Sequence, residues 1–190
     1  MTAPFPLTGE PLALDLVNTR VLDGTVDLIA TPEALTAWLG TQSGRLGERP
    51  DAGPAELAAV HAVRDTAARL IGAARAGTPA PPEDLAALNA TLAAAPAHRH
   101  LGRDADGRCT GGTRRSGTPA QRLAAELAEA VAELLLDPRF EKVRQCEGHD
   151  CVLLFLPAHP RRRWCVPSVC GNRARVARYY QRHKEHGEER

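Results

Sequence analysis

The chain has 190 residues, 43% of them hydrophobic but only 4% aromatic, and a formal net charge of +1. That length allows one domain, or a domain with an appendage, around a buried core, which must rest on Leu, Val and Ala. No apolar run approaches the roughly 20 residues of a bilayer-spanning helix, so a membrane partner is not expected.

The near-neutral total conceals two unlike parts. Residues 1–139 hold 13 Lys/Arg against 17 Asp/Glu, residues 140–184 hold 10 against 3, and the tail EHGEER is acidic again. A basic segment behind an acidic body points to a polyanionic partner; the competing reading is a solvated basic surface. After Met1 comes Thr-Ala-Pro-Phe-Pro, without the basic start of a secretory signal, so a reducing, cytoplasmic setting is expected.

In chain order, PLALDLVNTR (residues 11–20) alternates Leu12, Leu14 and Leu16 as a half-buried strand would, though a helical turn also fits. Asp15, Asn18 and Arg20 interrupt it. They are candidates for a small-molecule effector pocket, although such residues more often cap or satisfy backbone. The stretch from there to Ala30 reads as loop. Thr31-Pro32-Glu33 opens a helix over Pro32–Leu39, with Thr31 as cap, Pro32 at the first position and Glu33 at the positive dipole end. Gly40 ends it, and residues 41–53 read as linker.

Pro54–Ala76 is a long amphipathic helix, with Leu57, Val60, Val63, Ala67, Leu70, Ile71 and Ala74 on one side and Gly77 closing it. Glu83–Ala94 is a second helix. Residues 98–115 carry Asp106-Gly107 between weak polar strands and read as a β-hairpin. Thr118-Pro119-Ala120-Gln121 is a capping box that starts a helix to about Leu136, stopped by Asp137-Pro138.

The pattern then changes. Phe140–Gln145 reads as a strand and Val152–Leu156 as its return, with a helix over Asn172–His183. Between them lie Cys146-EGHD-Cys151 and, after thirteen residues, Cys165-VPSV-Cys170. Two such pairs suit one tetrahedral zinc held by four thiolates; two disulfides or four unconnected thiols are the alternatives, and a reducing compartment disfavours the disulfides. Four cysteine ligands leave no open position, so the zinc would be structural. His149 lies inside the first pair and reads as a neighbour of the site or as exposed, rather than as a ligand. A knuckle hairpin followed by ligands at a helix start is the layout of a treble-clef finger. The fold class is therefore α+β: a mainly helical N-terminal domain with a small hairpin (residues 1–138), a treble-clef-like finger (140–184) and a polar tail (185–190).

RRWC-VPSV-CGNR, preceded by C-x4-C and an apolar LLFL strand, closely resembles the CGNR zinc-finger family. LALDLVNTR resembles the opening motif of the ABATE domain that usually accompanies that finger. Together the two similarities cover nearly the whole chain. The resemblance implies a stress-induced bacterial transcription regulator that binds double-stranded DNA. The chain departs from the family pattern at LPAHPRRRWC, which is shorter than usual and lacks an Asp-x-Ser.

On a helical wheel Arg175, Arg178, Arg182 and Tyr179 share one side of the last helix, suited to phosphate or groove contact. Val176 and Tyr180 lie on the other, suited to packing on the finger. Arg161, Arg162 and Arg163 add a second basic element, and Arg173 reads as structural, tied to a carbonyl or to the knuckle. The function expected is DNA-binding transcription regulation, with the N-terminal domain sensing a small ligand or forming a homodimer. The alternative is a zinc-dependent adaptor for an acidic protein surface. No H-E-x-x-H, G-x-S-x-G or phosphate-binding glycine loop occurs, so an enzyme is not expected. Cys109 stands alone in the hairpin and reads as an inert thiol.

Overall fold

The computed structural model describes residues 5–188 except 23 and 48, with side chains up to residue 180. Its centre is three helices: α4 (Pro54–Ala76), α5 (Pro82–Ala94) and α6 (Pro119–Leu136). Their ends follow local chemistry. Gly77 takes the left-handed conformation that closes α4 (φ 67°), which only glycine adopts at no steric cost. Thr118 and Gln121 cap α6 reciprocally, Thr118 Oγ1 accepting from Gln121 N–H at 3.2 Å and Gln121 Oε1 from Thr118 N–H at 2.9 Å. Val60, Val63, Ala67 and Ile71 of α4 are buried with Leu123, Leu127 and Val131 of α6 in the main core.

α1 (Leu12–Val17) is a helix, not the alternating strand that its leucines also allow. Ala13, Leu14, Asp15 and Leu16 are all buried in succession. A strand with one buried face would expose every second residue; a short helix set against α4 and α6 buries them together. The segment after it, expected to be loop, contains a small antiparallel hairpin, β1 (Arg20–Val21) with β2 (Val26–Asp27). Its anchor lies far along the chain: the buried guanidinium of Arg64 on α4 donates to both Asp27 oxygens, at 2.7 and 2.5 Å, and to Thr19 Oγ1 at 3.0 Å.

α2 (Pro32–Thr41) starts at Thr31 as expected, Oγ1 accepting from Ala34 N–H at 3.2 Å, and buries Trp38 and Leu35. It runs one residue past Gly40. The expected linker contains a short helix, α3 (Ser43–Leu46), which presents Arg45 to Asp15. The hairpin around Asp106-Gly107 is β3 (Ala97–Arg103) paired with β4 (Cys109–Arg115).

Beyond α6 the expected strand from Phe140 is mostly a 3-10 turn, Pro138–Lys142, and only Arg144–Gln145 (β5) is extended. Asp137 explains the turn: its carboxylate accepts from Arg139 N–H at 2.8 Å and starts a new helical segment. β5 pairs antiparallel with β6 (Leu154–Phe155). A π-helical turn, Pro167–Gly171, then leads into α7 (Asn172–Glu188).

The C-terminal segment is fastened to the helical body by a polar seam. Asn18, at the end of α1, uses both ends of its amide on Leu154, its Nδ2 donating to the carbonyl and its Oδ1 accepting from the N–H, each at 2.8 Å. The side chain thus takes the place of a neighbouring strand. Glu10 accepts from Leu156 N–H at 2.9 Å and pairs with Arg162 at 2.7 Å.

Candidate metal centre

The connection between β5 and β6 carries Cys146 and Cys151. Cys146 N–H donates to Leu153 O at 2.9 Å, and Cys151 N–H folds back to Gly148 O at 3.1 Å. Asp150 adopts a left-handed conformation (φ 57°) to complete the knuckle, a conformation that Asp tolerates better than most residues. Cys165, just before the π turn, and Cys170, within it, supply the other two sulfurs. The four sulfurs lie within 4.8 Å of one another, with Cys151–Cys165 at 3.7 Å and Cys165–Cys170 at 3.5 Å.

Those spacings decide among the three readings open from sequence. A disulfide requires sulfurs about 2.05 Å apart. Four thiolates at about 2.3 Å from a central zinc stand about 3.8 Å from one another in a tetrahedron. The geometry is that of one structural zinc site, held by Cys146, Cys151, Cys165 and Cys170. His149 is exposed and pairs with Asp150 at 2.5 Å, away from the sulfurs.

Four thiolates on one divalent ion leave two negative charges in excess, and the chain supplies donors to offset them. Gly148 and Cys165 N–H groups point at Cys146 Sγ, at 3.4 and 3.3 Å. Arg173 Nη2 donates to Cys170 Sγ at 3.2 Å, so the Arg of the CGNR motif is tied to the centre. Burial opposes ionisation of Cys170, but Arg173 and the neighbouring thiols outweigh it and lower its pKa. Burial pushes the Cys151 thiol up to about 11 and raises Cys165 further, where no such cation faces the sulfur. Bound zinc supplies the charge that keeps these sulfurs deprotonated.

The remaining letters of the motif also have physical roles. A Cβ on Gly171 would stand 3.0 Å from Trp164 Cδ1, so only glycine lets the indole lie against the turn. Asn172 Nδ2 donates to Ser168 O at 2.7 Å and locks the π turn. Gly148 makes a similar close approach, its missing Cβ falling 3.2 Å from Cys170 Sγ.

The candidate contact residues fall into three groups. Arg175, Arg178 and Tyr179 are exposed along α7, Arg175 bonded to Asn172 Oδ1 and Arg178 to Ala174 O. Arg182 lies outside the residues whose side chains are described. Arg161 is exposed on the loop before Trp164, while its neighbours are engaged within the chain. Arg162 lies over the Phe155 ring at 4.3 Å and donates to Trp164 O and Cys165 O as well as to Glu10. Arg163 donates to Glu147 at 2.6 Å and lies 5.3 Å from the Trp164 ring. Val176 and Tyr180 do not pack on the finger: they are 54% and 67% exposed. The finger core is small enough to be filled by Leu153, Phe155 and the cysteines, and Tyr180 instead meets Tyr179 edge-on at 5.8 Å.

Asp15, Asn18 and Arg20 are placed apart in role. Asp15 accepts from the N–H groups of Gly9 and Glu10 at 2.8 and 3.1 Å and from Arg45. Burial nevertheless raises its pKa, against the pull of those donors. Asn18 serves the seam, and Arg20 pairs with Asp65 at 3.1 Å on the surface. Glu10 and Arg162, which fasten the seam, carry no local signal because their partners lie about 150 residues away in sequence. Beside the seam is an apolar cavity of about 320 Å³, lined by Val21, Leu22 and Leu28 of the hairpin segment and by Val152, Leu153, Val166 and three of the cysteines.

Fold and site together define a helical domain carrying a four-cysteine zinc finger. Residues 10–138 match the ABATE family, described as "Putative stress-induced transcription regulator", and residues 142–183 match the CGNR zinc finger. The chain belongs to the ABATE family, with the CGNR finger following in the order that the two sequence motifs imply. No curated protein matches the chain. Among the described residues no helix is long and apolar enough to cross a membrane.

Proposed function

We propose that the protein is a cytoplasmic, non-catalytic transcription regulator that binds duplex DNA through its zinc finger. The observation that carries this reading is the exposed basic side of α7, which starts at the metal centre of an otherwise acidic chain. Arg175 and Arg178 contact phosphate, Tyr179 lies beside them, and Arg161 extends the surface from the loop. The zinc, through Cys170 and the π turn, fixes the direction in which α7 leaves the finger. The hairpin, π turn and helix support a treble-clef arrangement. One finger offers a small footprint, and two copies reading two half-sites would enlarge it.

The effector half of the reading is better supported at the apolar cavity than at Asp15, Asn18 and Arg20, whose polar groups are bonded within the chain. A small apolar molecule there would touch both the β1–β2 hairpin and the loops that hold the zinc.

The test is duplex binding by zinc-loaded protein over a salt series, beside Arg175/Arg178/Arg182→Ala with its zinc content checked. Phosphate contact predicts a log–log salt slope of about −0.9 per contact, lost with the three arginines. No binding by wild type at low salt, with binding to an acidic protein surface that duplex DNA does not displace, would favour the adaptor reading.

A further inference from the structure

The β3–β4 hairpin is set apart from the rest of the N-terminal domain. Every residue from 96 to 114 is exposed, including Leu101 at 74%. A two-stranded ribbon with no core beneath it is at best marginally stable in water, yet this one is built to hold its shape. Asp104 organises the turn, its Oδ1 accepting from Asp106 N–H at 3.0 Å and Arg108 N–H at 2.8 Å, with Gly107 at φ 81°. At the base Arg115 is drawn inward, donating to Ala95 O at 3.1 Å and pairing with Glu129 on α6.

The ribbon is also a basic island. Residues 97–115 hold five arginines against two aspartates, while the remainder of residues 1–139 holds 8 Lys/Arg against 15 Asp/Glu. The acidic groups are spent locally, Asp104 on the turn backbone and Asp106 beside Arg108 at 3.9 Å. The side chains of Arg99, Arg103 and Arg114 make no hydrogen bond or ion pair to the described residues. The register puts Arg99 and Arg103 on one face, and His98, His100 and Arg114 on the other, since His98 stands opposite Arg114 and side chains alternate. Gly102, Gly111 and Gly112 keep the ribbon thin between them.

We infer that this ribbon is a second DNA-contacting element, entering the major groove beside the site held by the finger. Two strands about 4.8 Å apart, with side chains on both faces, fit a groove about 12 Å wide, which admits such a ribbon. Cations on both faces meet phosphates on both walls. The inference rests on the DNA-binding reading above.

The experiment uses the full zinc-loaded chain, a labelled 30-base-pair random duplex and anisotropy over a salt series. Arg99/Arg103/Arg114→Gln is compared with wild type and with Arg75/Arg122/Arg139→Gln, which loses equal charge elsewhere in the chain, outside both the ribbon and α7. The side chains of the three ribbon arginines make no hydrogen bond or ion pair to the described residues, and glutamine keeps the backbone pairing of the ladder, so the substitutions leave thermal unfolding unchanged. The expected result is a salt slope shallower by about 2 to 3 and at least tenfold weaker binding for the ribbon variant, with the control near wild type. Equal binding by all three, while the α7 variant loses DNA, overturns the ribbon inference and leaves the finger's role standing. A ribbon variant that loses DNA only by changing from dimer to monomer in sedimentation overturns it as well, because the ribbon would then join two copies. No DNA binding by wild type removes both readings.

Discussion

Replacing Asn18 by alanine tests whether the finger and the helical body are one structure. Asn18 is 5% exposed, and its amide makes two 2.8 Å bonds to the backbone of Leu154. The substitution removes both and strands a peptide N–H and a carbonyl in the seam. With a net contribution of about 1 kcal/mol per bond and a further cost for each stranded group, the loss is about 2–4 kcal/mol. For a chain of this size that lowers the unfolding temperature by roughly 5–12 °C. Arg20→Ala is the matched control two residues away. Its partner Asp65 is 3.1 Å distant, but the two side chains are 46% and 37% exposed, so the change stays within about 1 kcal/mol. Asn18→Asp keeps an acceptor for Leu154 N–H but sets a carboxylate against the carbonyl, and is destabilised too. Thermal unfolding of zinc-loaded protein reads all three. An Asn18→Ala protein that melts with the Arg20→Ala control would refute the seam as a stabilising contact.

Three further outcomes are expected. Asp27→Ala takes the two-oxygen carboxylate partner from the Arg64 guanidinium, 1% exposed, leaving Thr19 Oγ1 as a hydrogen-bond acceptor, and costs about 3–5 kcal/mol in urea unfolding at pH 7. Burial opposes ionisation of Asp27, but Arg64, the Ile29 N–H and His61 together outweigh it and hold the carboxyl below its usual 3.8; the contribution is therefore complete above about pH 4 and the gap between wild type and variant closes in stronger acid. Gly171→Ala forces a Cβ to 3.0 Å from Trp164 and costs about 1–3 kcal/mol, read as a shifted Trp164 emission in a Trp38→Phe background and faster zinc loss to a chelator. Zinc affinity rises with pH, because Cys151 titrates near 11 and Cys165 higher without metal, so binding displaces protons; chelator competition should give roughly a tenfold gain per displaced proton per pH unit near neutrality, and a flat profile would contradict the protonated resting thiols.

The parts of the fold that sequence specified are those whose physics is local. Both ends of α4 and the start of α6 could be placed because Pro54 needs no N–H partner at the first helical position, Gly77 closes α4 in the left-handed conformation, and Thr118 and Gln121 cap each other's backbone. The zinc ligands were legible for the same reason: Cys146–Cys151 and Cys165–Cys170 each close a short turn, and only their mutual approach had to be supplied by folding. The 3-10 turn at Pro138–Lys142 was missed although its cause, Asp137, is local, since the apolar and charged residues that follow also suit a strand.

What only the tertiary structure decided is where long-range partners go. LALDLV alternates well enough for a strand, and it is a helix because α4 and α6 leave a site that buries Ala13 to Leu16 together. Val176 and Tyr180 form a plausible packing face on a wheel, but α7 leaves the finger with both of them exposed. Arg162 reads like its two neighbours in RRR, yet Glu10, 152 positions earlier, holds it inside while Arg161 stays exposed. Short-range capping and ligand spacing are fixed by bond geometry within one turn of chain. Which polar side chain becomes a seam, and which becomes surface, depends on groups that meet only after the core has formed.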